Sequence, residues 1–159
     1  ILTRLLGGNT VGSKTAFKDV PAANWAAEAI QNVVALGLMS GNADGAFRPD
    51  QPIPRAEMAA ILSHLAAKAG IDSSAEEAGD FRDTADHWAQ EAIRMARAEG
   101  WLNGYADGTF RPDQALSRAE AAAILNRLIG REAADLGEPL FKDVPATHWA
   151  YGAIQAASK

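Results

Sequence analysis

Two arginines stand where they could hold an anion. Arg55 and Arg118 each open the triplet Arg-Ala-Glu, at Arg55–Glu57 and Arg118–Glu120, 63 residues apart. Apolar residues follow at i, i+3, i+4 and i+7: Met58, Ile61, Leu62 and Leu65 after the first triplet, and Ala121, Ile124, Leu125 and Leu128 after the second. That spacing predicts a helix behind each triplet, so both arginines fall in a first helical turn. A guanidinium presents a planar fork of N–H donors that matches a carboxylate. The unpaired backbone N–H groups of a helix start favour an anion at the same place. The competing reading is that each arginine pairs with a Glu or Asp and holds a loop.

The elements that must position these arginines are themselves repeated. Gly41–Pro52 and Gly104–Ala115 are rich in Gly, Asp-Gly and Pro-Asp, which predicts loops with tight turns. Asp44 and Asp107 precede Gly and are expected to shape the turn rather than touch a ligand. Phe47 and Phe110 are expected to anchor the loops in the core. In Ser117-Arg-Ala-Glu120 the spacing is that of a capping box. Pro54 stands in the place of Ser117, and proline suits a helix start because its missing N–H would be unpaired there anyway.

A second motif occurs three times, at Phe17, Phe81 and Phe141, reading Phe, Lys or Arg, Asp, a short turn, and then Trp-Ala. Its tryptophans are Trp25, Trp88 and Trp149. Trp25, Ala29, Ile30 and Val33 fall at helical spacing, as do Trp88, Ala92, Ile93 and Ala96. Asp19, Asp83 and Asp143 are expected as caps or local turn bonds. Gly37 and Gly100 are expected to end the helices in the left-handed conformation. Trp101, where the first copy has Leu38, could line a groove or fill a gap. The unit is helix, Gly-rich loop, helix.

Composition narrows the chemistry. The 159 residues are 48% hydrophobic and 22% charged, which is globular. The absence of cysteine excludes thiolate metal sites, dithiol redox chemistry and disulfides. A net charge of −5 makes nucleic acid and anionic membrane poor partners. No apolar run is long enough to span a bilayer. His64, His87 and His148 lack the spacing of a metal triad. The loops lack the acidic first ligand and the final Glu of a calcium loop. No nucleophile–base arrangement is visible, so the expectation is a protein that is not an enzyme, without metal or cofactor.

Taken together, Phe17–Val20, Phe141–Val144 and the near match Phe81–Thr84, the tryptophan segments, the two Asp-Gly-x-Phe-Arg-Pro-Asp loops and the Arg-Ala-Glu triplets resemble the S-layer homology (SLH) domain. The family's triplet usually follows Thr, where this chain has Pro54 and Ser117. The resemblance implies an all-α fold of tandem helix-loop-helix repeats packed as a pseudo-threefold helical bundle. Residues 16–70 and 80–131 would be two repeats. Residues 1–8 would be the tail of a preceding repeat, since Ile1–Gly7 matches Ile124–Gly130, and 141–159 the first half of a further one. The two cut pieces would close one bundle or drive self-association.

The function implied is noncovalent anchoring at an extracellular bacterial cell wall or S-layer. The ligand implied is a secondary cell wall polysaccharide whose terminal sugar carries a pyruvate ketal, or, in some relatives, modified peptidoglycan. Arg55 and Arg118 would read the ketal carboxylate. Gly41 and Gly104 would let sugar approach the backbone. Trp25, Trp88 and Trp149 would stack on sugar faces or, on the alternative reading, pack in the core. Asn42 and Tyr105 would meet hydroxyls. A structural or protein-docking repeat needs only the apolar helix faces and predicts no sugar affinity.

Overall fold

In the computed structural model, residues 17–71, 79–132 and 138–158 are described, and among them the regular structure is entirely helical. The helices are α1 (Ala27–Ala35), α2 (Arg55–Ala69), α3 (Gln90–Ala98), α4 (Arg118–Leu128) and α5 (Tyr151–Ala157). The expectation for residues 1–8 lies outside the described residues.

The chain divides into two units. One contains residues 17–52 and 61–71, and the other contains 53–60, 79–132 and 138–158. The first turns of α2 thus belong with the second copy, although they are written in the first.

Local signals form the helix ends. Gly37 and Gly100 take φ of 64° and 68°. Behind them the amides of Leu38 and Trp101 donate to the carbonyls of Val33 and Ala96, at 2.9 Å each, which closes the last turn. Leu38 and Trp101 then bury their side chains as the apolar residue that accompanies this cap. Trp101 therefore fills the core. Ser117 forms the capping box: its hydroxyl accepts from the Glu120 amide at 3.2 Å, and its own amide donates to the Glu120 carboxylate at 2.9 Å.

The tryptophans do not lie on the apolar faces. Each precedes its helix by two residues, and Trp25, Trp88 and Trp149 are 93%, 69% and 65% exposed. The buried positions beside them are the alanines Ala26, Ala89 and Ala150, with Ile30 and Ile93 further on. A helix start this tightly packed has room for alanine and turns the indole outward. The residue before each tryptophan closes the turn that leads into the helix: Asn24 Oδ1, His87 Nδ1 and His148 Nδ1 accept from the amides of Ala26, Ala89 and Ala150 at 2.8, 3.2 and 3.1 Å.

Two of the motif aspartates act over long range, not as local caps. Asp19 accepts from the amides of Phe47 and Arg48, at 2.9 and 2.7 Å. Asp83 accepts from those of Phe110 and Arg111, at 2.8 Å each. Among the described residues, Arg48 and Arg111 are the non-glycine residues with positive φ, at 61° and 58°. The carboxylate holds that strained corner of the loop. The Phe47 amide, joined by that of Arg48 against an opposing desolvation, keeps the Asp19 carboxyl below its ordinary value.

The phenylalanines pair: Phe17 with Phe47 at 5.2 Å, and Phe81 with Phe110 at 5.4 Å. A Cβ added at Gly41 or Gly104 would overlap the Phe17 or Phe81 ring. Both glycines are thus required for packing, whatever they do for a ligand. Inside each loop Asp44 and Asp107 accept from the amides of Ala46 and Thr109, as a turn-shaping aspartate should.

Helix α5 packs on α4. Buried Asn126 of α4 donates to the Ala153 carbonyl at 2.6 Å, and Arg131 donates to the Ala156 carbonyl at 2.8 Å. Gln155, 1% exposed, donates to the Glu138 carbonyl and to the Tyr151 hydroxyl. These polar anchors place the segment that carries Trp149.

Candidate functional site

Arg55 is buried at 3% exposure, and all three of its guanidinium nitrogens are engaged. Nε donates to the Phe110 carbonyl at 2.8 Å, Nη2 to the Asn103 carbonyl at 2.7 Å, and Nη1 to the Glu120 carboxylate at 2.6 Å. The helix start is equally occupied. The amides of Arg55 and Ala56 donate to the Gln114 and Pro112 carbonyls, at 2.9 Å each. Pro54 bridges Ala115, and Leu116 donates to the Ile53 carbonyl at 3.0 Å. The anion-binding helix start expected here is filled by the backbone of the second copy's loop. The loop-holding reading of Arg55 is the one its bonds support.

Tyr105 lies between two cations. The Arg55 guanidinium is 5.0 Å from its ring centre and that of Arg111 is 3.9 Å. Its hydroxyl donates to Glu120 at 3.1 Å and accepts from Gln114 at 2.9 Å. Glu120 therefore serves Ser117 with one oxygen and Arg55 and Tyr105 with the other. Burial works against its ionisation, but the Ser117 amide and hydroxyl, Arg55 and Tyr105 outweigh that and hold its pKa below the ordinary value.

Over these groups opens a cavity of about 570 Å³. Its floor is Asn103, Gly104, Tyr105 and Arg55, one wall is Glu120, Ala123, Ile124 and Arg127 of α4, and Trp149 stands at its margin. Residues 120, 123, 124 and 127 share one helix face, which is why a single helix can build that wall. Of the residues expected at a ligand, Arg55, Gly104, Tyr105 and Trp149 converge here. Arg118 does not: it is exposed and has no hydrogen bond among the described residues. Trp88 is exposed beside His87, 5.5 Å away. Trp25, Gly41 and Asn42 belong to the other unit, where Asn42 donates to the Ala46 carbonyl at 3.1 Å within its own loop.

Sequence reasoning does not single out Arg127 or Glu120 as ligand groups. Glu120 is legible there only as a cap. Arg127 is exposed and, among the described residues, its side chain donates one bond, at 3.1 Å, to the Trp101 carbonyl. The available signal is the variation at this position: its counterpart 63 residues earlier is His64, whereas the matching position of the leading stretch is Arg4. A cavity with two guanidinium groups, one carboxylate already neutralised, a tyrosine and an exposed indole can take a polar ligand with a flat apolar face and a negative charge.

Comparison with known proteins shows the family. The S-layer homology domain model matches residues 16–59 and 80–122. The chain is 38% identical over 95% of its length to the cellulosome-anchoring protein of Acetivibrio thermocellus, and 37% identical over 97% to cell surface glycoprotein 1 of the same organism. It is 29% identical over 84% of its length to an S-layer protein of Bacillus thuringiensis subsp. finitimus. The chain spans only 35%, 7% and 16% of those proteins, respectively.

Proposed function

The chain belongs to the S-layer homology domain family, and from that premise we propose that it is a noncovalent anchoring module of the bacterial cell surface, without catalytic activity, which holds a wall polysaccharide. The cavity beside Tyr105 is the proposed seat of the sugar. The observation that carries this reading is the 65% exposed indole of Trp149 at the margin of a pocket that also holds guanidinium groups. Leaving an indole in water has a cost that core packing would have avoided. Its face suits the C–H face of a pyranose, and the tyrosine, asparagine and glycine backbone suit hydroxyls.

The finer reading is that the bound sugar is terminal and carries a pyruvate ketal. A ketal carboxylate would give the cationic pocket a charge to neutralise. Names of relatives that refer to anchoring and to the surface layer support the coarser part of this reading.

The test is calorimetric titration of the chain with purified wall polysaccharide, native and after removal of its ketals. We expect binding to the native polymer and at least tenfold weaker binding to the stripped one. Trp149→Ala should weaken both by a similar factor of about ten, because stacking does not read charge. Equal affinity for the two polymers would sink the ketal reading, and no affinity for either would leave only a structural repeat.

A further inference from the structure

Resting on that reading, we propose that Arg127, and not Arg55, is the residue that discriminates a carboxylated sugar from a neutral one in this cavity. Two observations separate the arginines. Arg55 already has its charge matched by Glu120 at 2.6 Å, and its other nitrogens hold two loop carbonyls. A carboxylate arriving at Arg55 would have to displace one of these buried bonds or share the cation with Glu120 against its repulsion. Arg127 lines the same cavity, is exposed, and has no carboxylate partner among the described residues. Its single side-chain bond among the described residues uses one nitrogen on a neutral carbonyl, and its other donors meet no described acceptor.

The charge of Arg127 is not required by the fold. In the first copy His64 occupies the same position, with Nδ1 3.5 Å from the carbonyl of Leu38, the counterpart of Trp101. The two side chains address the same backbone group, and a repeat is built with either. The arginine of the second copy is therefore free to serve a ligand. Glu120 explains why discrimination needs it: without Arg127 the groove would hold one cation and one anion, which gives a carboxylate no advantage over a hydroxyl.

The experiment uses the full chain with native and ketal-free wall polysaccharide, and reads the ratio of the two affinities. Arg127→Gln should bring that ratio close to one, by a loss of about tenfold for the native polymer alone, with the thermal midpoint unchanged. Arg127→His, which repeats the side chain of the first copy, should discriminate at about pH 5.5 and fail to do so at about pH 8, while the unsubstituted chain discriminates at both. If the unsubstituted chain shows no discrimination, the ketal reading itself fails and this assignment falls with it. If it discriminates and Arg127→Gln does so equally, the assignment alone is overturned, and the ketal reading survives with another cation. A ratio that collapses in Arg127→Gln and returns in Arg127→His only at the lower pH, where the introduced imidazole is protonated, supports it.

Discussion

At the scale of the residue, two identical triplets have different fates. Arg55 and Arg118 open the same Arg-Ala-Glu triplet, yet one is buried in a full set of bonds and the other is exposed. The difference lies in what each meets. Arg55 meets the loop and the Glu of the next copy, 48 to 65 residues away. The stability effects should differ accordingly. Arg55→Ala strands a partly buried carboxylate and two carbonyls, and should cost on the order of 3 kcal/mol. Arg118→Ala should stay within about 0.5 kcal/mol. Urea unfolding followed by tryptophan fluorescence measures both, and equal effects would show that the buried network contributes little.

At the scale of the element, the Gly-rich loop is held from three sides. Its corner is fixed by Asp83, its phenylalanine by Phe81, and its carbonyls by Arg55. The glycine that begins it has no room for a methyl group, because the Phe81 ring lies against its backbone. Gly104→Ala should therefore destabilise the chain by about 1–3 kcal/mol through overpacking. It should also weaken glycan binding by shifting the cavity floor. Gly108→Ala makes a useful contrast. Its φ is 79° and nothing stands within reach of a Cβ, so its cost should be backbone strain of about 1 kcal/mol. Differential scanning calorimetry of the two variants separates the causes only if Gly104→Ala also alters the affinity and Gly108→Ala does not.

At the scale of the whole molecule, the acidic groups that organise the loops set the response to pH. Asp107 is held at about 2 by the Thr109 hydroxyl and amide and then by Arg111, and Glu120 is also lowered. Carboxyls with depressed values in the folded state stabilise it fully above their ordinary values, 3.8 and 4.5. That stabilisation is lost as the pH falls through the folded values. The chain should thus lose stability progressively between about pH 4.5 and pH 2. Glu120→Gln should be less stable at neutral pH and lose less across that window. Thermal midpoints taken at half-unit steps would show it; parallel curves for the two proteins would contradict the role given to Glu120.

The sequence by itself determined whatever rests on neighbours within a few residues. The capping box of Ser117 and Glu120, the left-handed glycines at positions 37 and 100, the Asp-Gly turns and the amphipathic stretches are local, so their residue types and spacing were sufficient. So was the all-α repeat that they add up to. Only the tertiary structure decided where the repeated side chains point and what they meet. Asp19 and Asp83 looked like local caps but reach 27 to 29 residues to a loop corner. The tryptophans were in register with an apolar stripe, but their helices begin two residues later, so the buried slot falls to alanine and the indole faces water. Arg55 looked like an available cation and is a buried fastener, because a distant loop supplies its acceptors. Helical spacing tells which residues share a face. It carries no information on which other segment will be packed against that face, and burial, charge neutralisation and ligand access all depend on that second segment.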